Sequence, residues 1–262
     1  MSSKIENITS EKNEKVKNLL SRYDDLYMFE GEKLVLDILK NKYIPSLMII
    51  NSEHYEKFSN SIPRDSSVWL VSEKVMKKIS SLSSIPVIIS IFDKLPENNN
   101  IYNNKIIFAV DNIQDPGNLG SVFRCAAAFG ITSIVLTGEC VRLTNTKFLR
   151  AAQNAVFNLS MKKFDSLEEF LPEAEREKYN IYLTSSHQQE KQAAIEDIKL
   201  PAVIVIGNEG KGVKKRLLEK YPSVSIAQTG QVESLNAGVS SCILMNLLSA
   251  RFELTKPENR NS

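Results

Sequence analysis

Cysteine and histidine are scarce in this 262-residue sequence, at three and two residues. Cys125, Cys140 and Cys242 form no CxxC pair and no metal-ligand spacing, and His54 and His187 cannot complete a zinc site between them. No metal is expected, and the cysteines read as small apolar core residues in a reducing compartment. The phosphate-cradling order GxxxxGK[ST] and the dinucleotide spacing GxGxxG are both missing, which removes the main support for an NTPase or a dinucleotide-dependent oxidoreductase. No segment approaches the run of about 18 apolar residues that a membrane span requires. The first thirty residues are charged and lack an apolar targeting core, so no membrane partner is expected and the location expected is cytoplasmic. A charge excess of one sign is lacking too: 33 Lys and Arg against 31 Asp and Glu leave +2. Binding to a polyanion therefore has to rest on local patches.

What is present is an ordinary globular composition, 42% hydrophobic and 24% charged, over a length that suits two domains. A polar leader over residues 1–10 precedes a helical stretch at 11–21. Short β-branched runs at 47–50, 68–71 and 87–91 then alternate with helical patterns at 32–39 and 73–79, a small α/β unit. Residues 95–104, LPENNNIYNN, combine Pro with a run of Asn and read as a linker. Domains are thus expected at 11–94 and 105–262. In the second, apolar runs at 106–110, 131–136, 181–183, 203–206 and 224–226 are separated by helical stretches, the pattern of a largely parallel sheet covered on both faces. Basic residues cluster in three places: Lys74, Lys77 and Lys78; Arg142, Lys147 and Arg150; and Lys211, Lys214, Lys215 and Arg216. Taken singly, each cluster reads as a solvated face.

Three segments of the second half carry chemistry. Residues 111–124, DNIQDPGNLGSVFR, run from a strand through a Pro-Gly turn into a helix closed by Gly130, with Asn118 as the expected N-cap and Arg124 in the helix interior. A turn of this kind at the carboxyl end of a parallel strand is where open α/β sheets bind ligands. Residues 203–213, VIVIGNEGKGV, open a buried strand into a loop with three glycines in six residues and one carboxylate, Glu209, where backbone can approach a ligand closely. Residues 225–236, SIAQTGQVESLN, lead into a final helix expected from Ser234 to about Glu253, with Ser234 as its cap.

In this order and at these separations, the segments strongly resemble the motifs of the SpoU (TrmH) family of RNA ribose methyltransferases of the SPOUT class. The resemblance covers about residues 105–252, and FEGEKLVLDIL at 29–39 is similar to the opening of the family's N-terminal substrate-binding domain. It implies an α/β protein: a small N-terminal RNA substrate-binding domain, and a C-terminal SPOUT domain of mostly parallel sheet tied into a deep trefoil knot. It implies S-adenosylmethionine as methyl donor, structured RNA as substrate, and a homodimer formed through the C-terminal domain. Carried over by motif, Asn118 and Arg124 are the polar pair of the first segment, Glu209 the carboxylate of the second, and Ser234 and Asn236 the polar pair of the third. Gly207, Ile226 and Leu235 match positions that bind the donor, largely through backbone. The activity implied is methylation of a ribose 2′-hydroxyl, with ribosomal RNA favoured and transfer RNA the alternative. A non-catalytic RNA-binding or assembly protein of the same fold is a third reading, against which the intact motif side chains argue. The sequence departs from the family at Ala227-Gln228, where Pro-Met is usual, and at Arg150-Ala-Ala-Gln-Asn-Ala155, in place of Arg-Ala-Ser-x-Gly-Ala.

Overall fold

The structure is a computed structural model, and it describes residues 4–96, 100–185, 192–208, 210, 212–229, 231–232 and 234–255. In chain order the first elements are β1 (Ile5–Ile8), α1 (Glu14–Ser21), β2 (Tyr27–Glu30), α2 (Glu32–Lys40), β3 (Leu47–Asn51), α3 (Tyr55–Phe58), β4 (Ser67–Val71), α4 (Glu73–Ile79) and β5 (Ile88–Phe92). The chain continues through β6 (Ile106–Asp111), α5 (Pro116–Ala128), β7 (Ser133–Thr137), α6 (Thr146–Ala152), β8 (Ser160–Phe164), α7 (Leu167–Arg176) and β9 (Asn180–Thr184). It closes with β10 (Gln192–Ala193), β11 (Ala202–Ile206), α8 (Lys215–Lys220), β12 (Ser223–Val224) and α9 (Ala237–Phe252). Two compact units result: unit 1 is Met1–Pro96 with Arg142–Asn154, and unit 2 is Glu97–Val141 with Ala155–Ser262.

Unit 1 is built on a five-stranded sheet in the order β1-β4-β3-β5-β2. β1, β4 and β3 run parallel, whereas β5 runs antiparallel to both β3 and β2. The continuous apolar run of β3 follows from burial on both faces. Ile49 packs with Val16, Leu19, Val75 and Met76 of α1 and α4, while Met48 and Ile50 pack on the other face with Val35 of α2 and Phe58 of α3. Residues 1–10, read as a leader, contain β1, whose register sets Ile5 opposite Val68. Polar neighbours hide it in the sequence, because an edge strand needs only one apolar face. α6 belongs to this unit although it lies within the second half of the sequence; Phe148 and Leu149 are buried, and Thr144 Oγ1 donates to Asp24 O at 2.6 Å.

Unit 2 carries a seven-stranded sheet in the order β10-β12-β9-β11-β6-β7-β8, and every pairing in it is parallel. Its central strands are buried end to end, with Phe108 and Val203 through Val205 at 0% exposure. Burial of side chains this large stabilises by roughly 1.5–3 kcal/mol each. Of the stretch read as a linker, Ile101 is fully buried beneath this sheet's core in a 3-10 turn over Ile101–Asn103, so part of it is structural. β8 escapes a reading by apolar runs because Lys162 and Lys163 interrupt it; Lys162 instead pairs with Glu173 of α7 at 2.8 Å.

Both helix caps fall differently from the sequence expectation. α5 starts at Pro116, and Asp115, not Asn118, is its N-cap, with Oδ1 accepting the Asn118 N–H at 2.7 Å. Pro at the first helical position presets the backbone angle there, which moves the start three residues earlier. α9 starts at Ala237 under Asn236, whose side chain accepts the Val239 N–H at 3.1 Å, so Ser234 lies outside the helix. The cysteine expectation is also corrected. Cys125 and Cys242 form a disulfide between α5 and α9, across a Cα–Cα distance of 5.5 Å that close helix packing permits, and Cys140 alone is free. Closing a loop of 117 residues restricts the unfolded chain, worth about 4–5 kcal/mol in the chain-entropy account. A reducing compartment opens such a bond. No helix among the described residues is long and apolar enough to cross a membrane.

Candidate active site at the carboxyl ends of the parallel strands

The order of strands in unit 2 reverses between β6 and β11, since β6 continues outward to β7 and β8 while β11 leads to β9 and β12. Such a switch point opens a crevice beyond the carboxyl ends of the two strands, because their onward connections diverge to opposite sides. Val110 is opposite Ile206 in the ladder, so the first chemical segment and the glycine loop leave the sheet side by side. They are also tied: Asn208 Nδ2 donates to the carbonyl of Asn112 at 2.9 Å. The loop folds back on itself. Gly212 N–H donates to Asn208 O at 2.8 Å, and a Cβ on Gly207 would lie 2.5 Å from the Gly212 carbonyl carbon.

The third segment reaches the same place through helix packing. Asn236 Nδ2 donates to Asn118 Oδ1 at 2.9 Å, joining the cap of α9 to the first turn of α5. A Cβ on Gly238 would come within 3.3 Å of Asn118 Cα and Ser121 Cβ, so the small residue permits this approach. One turn further along each helix, Cys125 meets Cys242. One member of each polar pair read from the first and third segments, Asn118 and Asn236, therefore lies on one contact line between two helices. Arg124 projects from the exposed side of α5, opposite its buried Leu119, Val122, Phe123 and Ala126. Among the described residues it has no hydrogen bond or ion pair, and neither has Ser234, which is also exposed.

Gly207 is buried at the mouth of the loop, and Ile226 and Leu235 are half-buried apolar residues on the strand exit and helix approach. Glu209 lies outside the described residues, as does Lys211. The third basic cluster changes character: Lys214 Nζ is 2.8 Å from Glu168 of α7, and Arg216 donates to the same carboxylate. These two bonds, Lys214 first, hold the Glu168 pKa down to about 2. The pairing anchors the far end of the glycine loop. By contrast, Lys74, Lys77, Lys78, Arg142, Lys147 and Arg150 are exposed with no ion pair among the described residues, and all six belong to unit 1.

Sequence reasoning overlooked a buried polar group beside the first turn. Asp111, 5% exposed, accepts from Thr137 Oγ1 at 2.7 Å and from Asn112 Nδ2 at 2.9 Å. The signal was an Asp-Asn pair ending an apolar strand, where a buried carboxylate demands partners. Burial pushes the thiol pKa of Cys140, next to this group, up. Among the described residues no three metal-ligating side chains cluster.

A family model described as the SpoU rRNA Methylase family matches residues 105–246. The chain is 29% identical over 249 residues to the 23S rRNA (guanosine(2553)-2'-O)-methyltransferase RlmP of Bacillus subtilis, covering 92% of this chain and 98% of that one. Its fold is similar to that of an AdoMet-bound rRNA methyltransferase from Sinorhizobium meliloti, with a TM-score of 0.78 at 24% identity over 95% of this chain and 98% of the other. It is also similar in fold to the SpoU methyltransferase AviRb from Streptomyces viridochromogenes in complex with AdoMet, with a TM-score of 0.70 at 16% identity, covering 92% and 94%.

Proposed function

The chain belongs to the SpoU rRNA methylase family, and from that membership we propose that it transfers the methyl group of S-adenosylmethionine to a ribose 2′-hydroxyl of ribosomal RNA. The observation that carries this is convergence. Segments around residues 112, 208 and 236 are joined by two asparagine bridges at the switch point of a parallel sheet. The B. subtilis relative is named for a 23S rRNA guanosine and its 2′-oxygen, and the alignment runs over 98% of its length. Large-subunit RNA is accordingly the substrate class proposed.

The residues present fit the donor. An adenosyl group needs apolar walls and backbone hydrogen-bonding partners, and the glycine loop offers backbone beside the half-buried Ile226 and Leu235. A Cβ on Gly212 would meet nothing within 4 Å, so open space adjoins the loop. The bound donor supplies an electrophilic methyl group on a sulfonium. Gly207, Ile226 and Leu235 hold it in this reading. Arg124 orients the 2′-hydroxyl and neighbouring phosphate and stabilises the oxyanion that develops as the proton leaves. A guanidinium holds its proton too tightly to serve well as the base itself. Asn236 and Asn118 fix the relation of the two helices, Ser234 contacts ribose or phosphate, and Glu209 orients the substrate from the glycine loop. Holding the hydroxyl in line with the methyl group supplies much of the acceleration.

The family's trefoil knot and a homodimer through unit 2 are part of the proposal. The exposed residues Val239 (50%) and Leu247 (44%) lie two turns apart on α9 with the half-buried Ile243 between them, an apolar stripe suited to a second copy. The six exposed cations of unit 1 supply attraction for structured RNA. Incubation with methyl-labelled donor and, separately, ribosomal and transfer RNA tests the reading. Label at one ribose of ribosomal RNA is the expected result. Label in transfer RNA alone moves the substrate, and label in neither overturns the proposal.

A further inference from the structure

We propose that Asn112 is a positioning residue for the donor site, an inference that rests on the glycine loop being that site. All four of its polar groups are engaged along the sheet's carboxyl edge. Its N–H donates to Thr137 O at 3.0 Å and its Oδ1 accepts the Glu139 N–H at 3.0 Å, which ties it to the exit of β7. Its Nδ2 donates to the buried Asp111 carboxylate at 2.9 Å, itself held by Thr137 Oγ1. Its carbonyl receives Asn208 Nδ2 at 2.9 Å, which ties it to the exit of β11.

The backbone at Asn112 is left-handed, with φ +55°, a conformation that costs most side chains energy and that Asn tolerates best after Gly. Such a conformation persists only where surroundings over-determine it, and here the side-chain clamp does so. The neighbour fits around it: a Cβ on Gly138 would lie 2.5 Å from Asn112 Oδ1. The carbonyl thus points at the glycine loop because the side chain is locked to the opposite loop. Asn208 passes the constraint on, its Oδ1 accepting the Gly210 N–H at 2.9 Å and its carbonyl the Gly212 N–H at 2.8 Å. Strand β6 lies between β7 and β11, so the residue ending it is the one placed to hold both flanking loops. The set of loop shapes that can receive the donor is narrowed before it binds.

The test is a double-mutant cycle in the full-length protein. Asn208→Asp keeps the acceptor toward Gly210 and removes the donor to Asn112; Asn112→Gly keeps the left-handed backbone and carbonyl and removes the clamp. Each variant is expected to weaken S-adenosylmethionine binding in calorimetry about tenfold. The RNA KM is expected to stay within about twofold, and the double variant should be little worse than either single one, because both act through one hydrogen bond. Additive losses, or equal losses in donor and RNA parameters, assign the residues a general structural role and overturn the proposal. Single variants that bind the donor like the unmodified protein overturn it as well. Should Asn112→Gly fail to fold, Asn208→Asp alone decides by its donor against RNA split. If the unmodified protein binds no S-adenosylmethionine, the underlying site assignment falls instead, and this inference with it.

Discussion

Units 1 and 2 are both sheets covered by helices, yet the polar groups at the strand ends of unit 2 and the cations of α4 and α6 in unit 1 are arranged in opposite ways. In unit 2 they turn inward on one another. Asn112, Asn208, Asn118 and Asn236 link loops and helices at one edge of an all-parallel sheet, and Lys214 and Arg216 both pair with Glu168. In unit 1 the sheet is mixed, and the cations of α4 and α6 face water without ion-pair partners among the described residues. Preorganised dipoles suit a reaction, since they need no rearrangement when charge develops. Unpaired surface cations suit capture of a polyanion, where counterion release supplies the affinity.

The largest effect that separates the two units is expected at Arg124. Arg124→Ala removes an exposed side chain with no partner among the described residues, so folding should be unaffected and the melting midpoint unchanged. Methyl transfer should fall by about 100- to 1000-fold, the range seen when a preorganised charge-stabilising group is lost. Donor and RNA affinities should stay near those of the unmodified protein. Single-turnover assays alongside calorimetry check this. Turnover within tenfold of normal would remove Arg124 from the chemistry and break the division between the units.

The fold was legible wherever burial on two faces wrote a continuous apolar run. α4 and the start of β3 fall where periodicity places them, and the five runs of the second half all contain strands. The edge strand β1 and the lysine-bearing β8 were not legible, because one apolar face leaves too little pattern. Nor was the membership of α6 in unit 1, which depends on tertiary packing of Phe148 and Leu149. At the site, motif resemblance named Asn118 and Asn236 in separate pairs, with Arg124 and with Ser234, and neither the hydrogen bond between the two asparagines nor the helix caps can be read from residue order. Asn112 and Asn208 were quoted as parts of segments and assigned nothing. What distinguishes them is a positive φ and a backbone acceptor, neither of which a residue name encodes.

A smaller effect of reversed kind is expected in unit 1. Neutralising Lys74, Lys77 and Lys78 together, or Arg142, Lys147 and Arg150 together, should raise the RNA KM while leaving donor binding and single-turnover rate at saturating RNA intact. Each set should also flatten the dependence of log affinity on log salt by about two to three, as expected for three lost phosphate contacts. Titrations of an RNA fragment at several salt concentrations read the slope. An unchanged slope for both sets would place RNA capture elsewhere and sharpen the comparison against unit 1.

The smallest effect concerns the basic cluster in which Lys214 and Arg216 share one carboxylate. Glu168 is half-buried in the first turn of α7 and receives Lys214 and then Arg216, which hold its pKa down to about 2 from 4.5. A carboxylate whose pKa is lowered on folding contributes stability that is complete above the unfolded value and is lost as pH falls toward the folded one. The contribution should therefore be present at pH 7 and fade between about pH 4.5 and pH 2. The pair is partly solvated, with 29% of the Glu168 side chain exposed, so Glu168→Gln should cost about 0.5–1 kcal/mol at neutral pH. Denaturation curves of the two proteins should converge as the pH is lowered through that window. The same substitution frees two cations beside the glycine loop, and a gain in nonspecific RNA affinity at low salt should accompany the loss of stability. Stability curves that stay parallel down to pH 2, with no gain in RNA binding, would mean that Glu168 neither anchors the loop nor screens it from RNA.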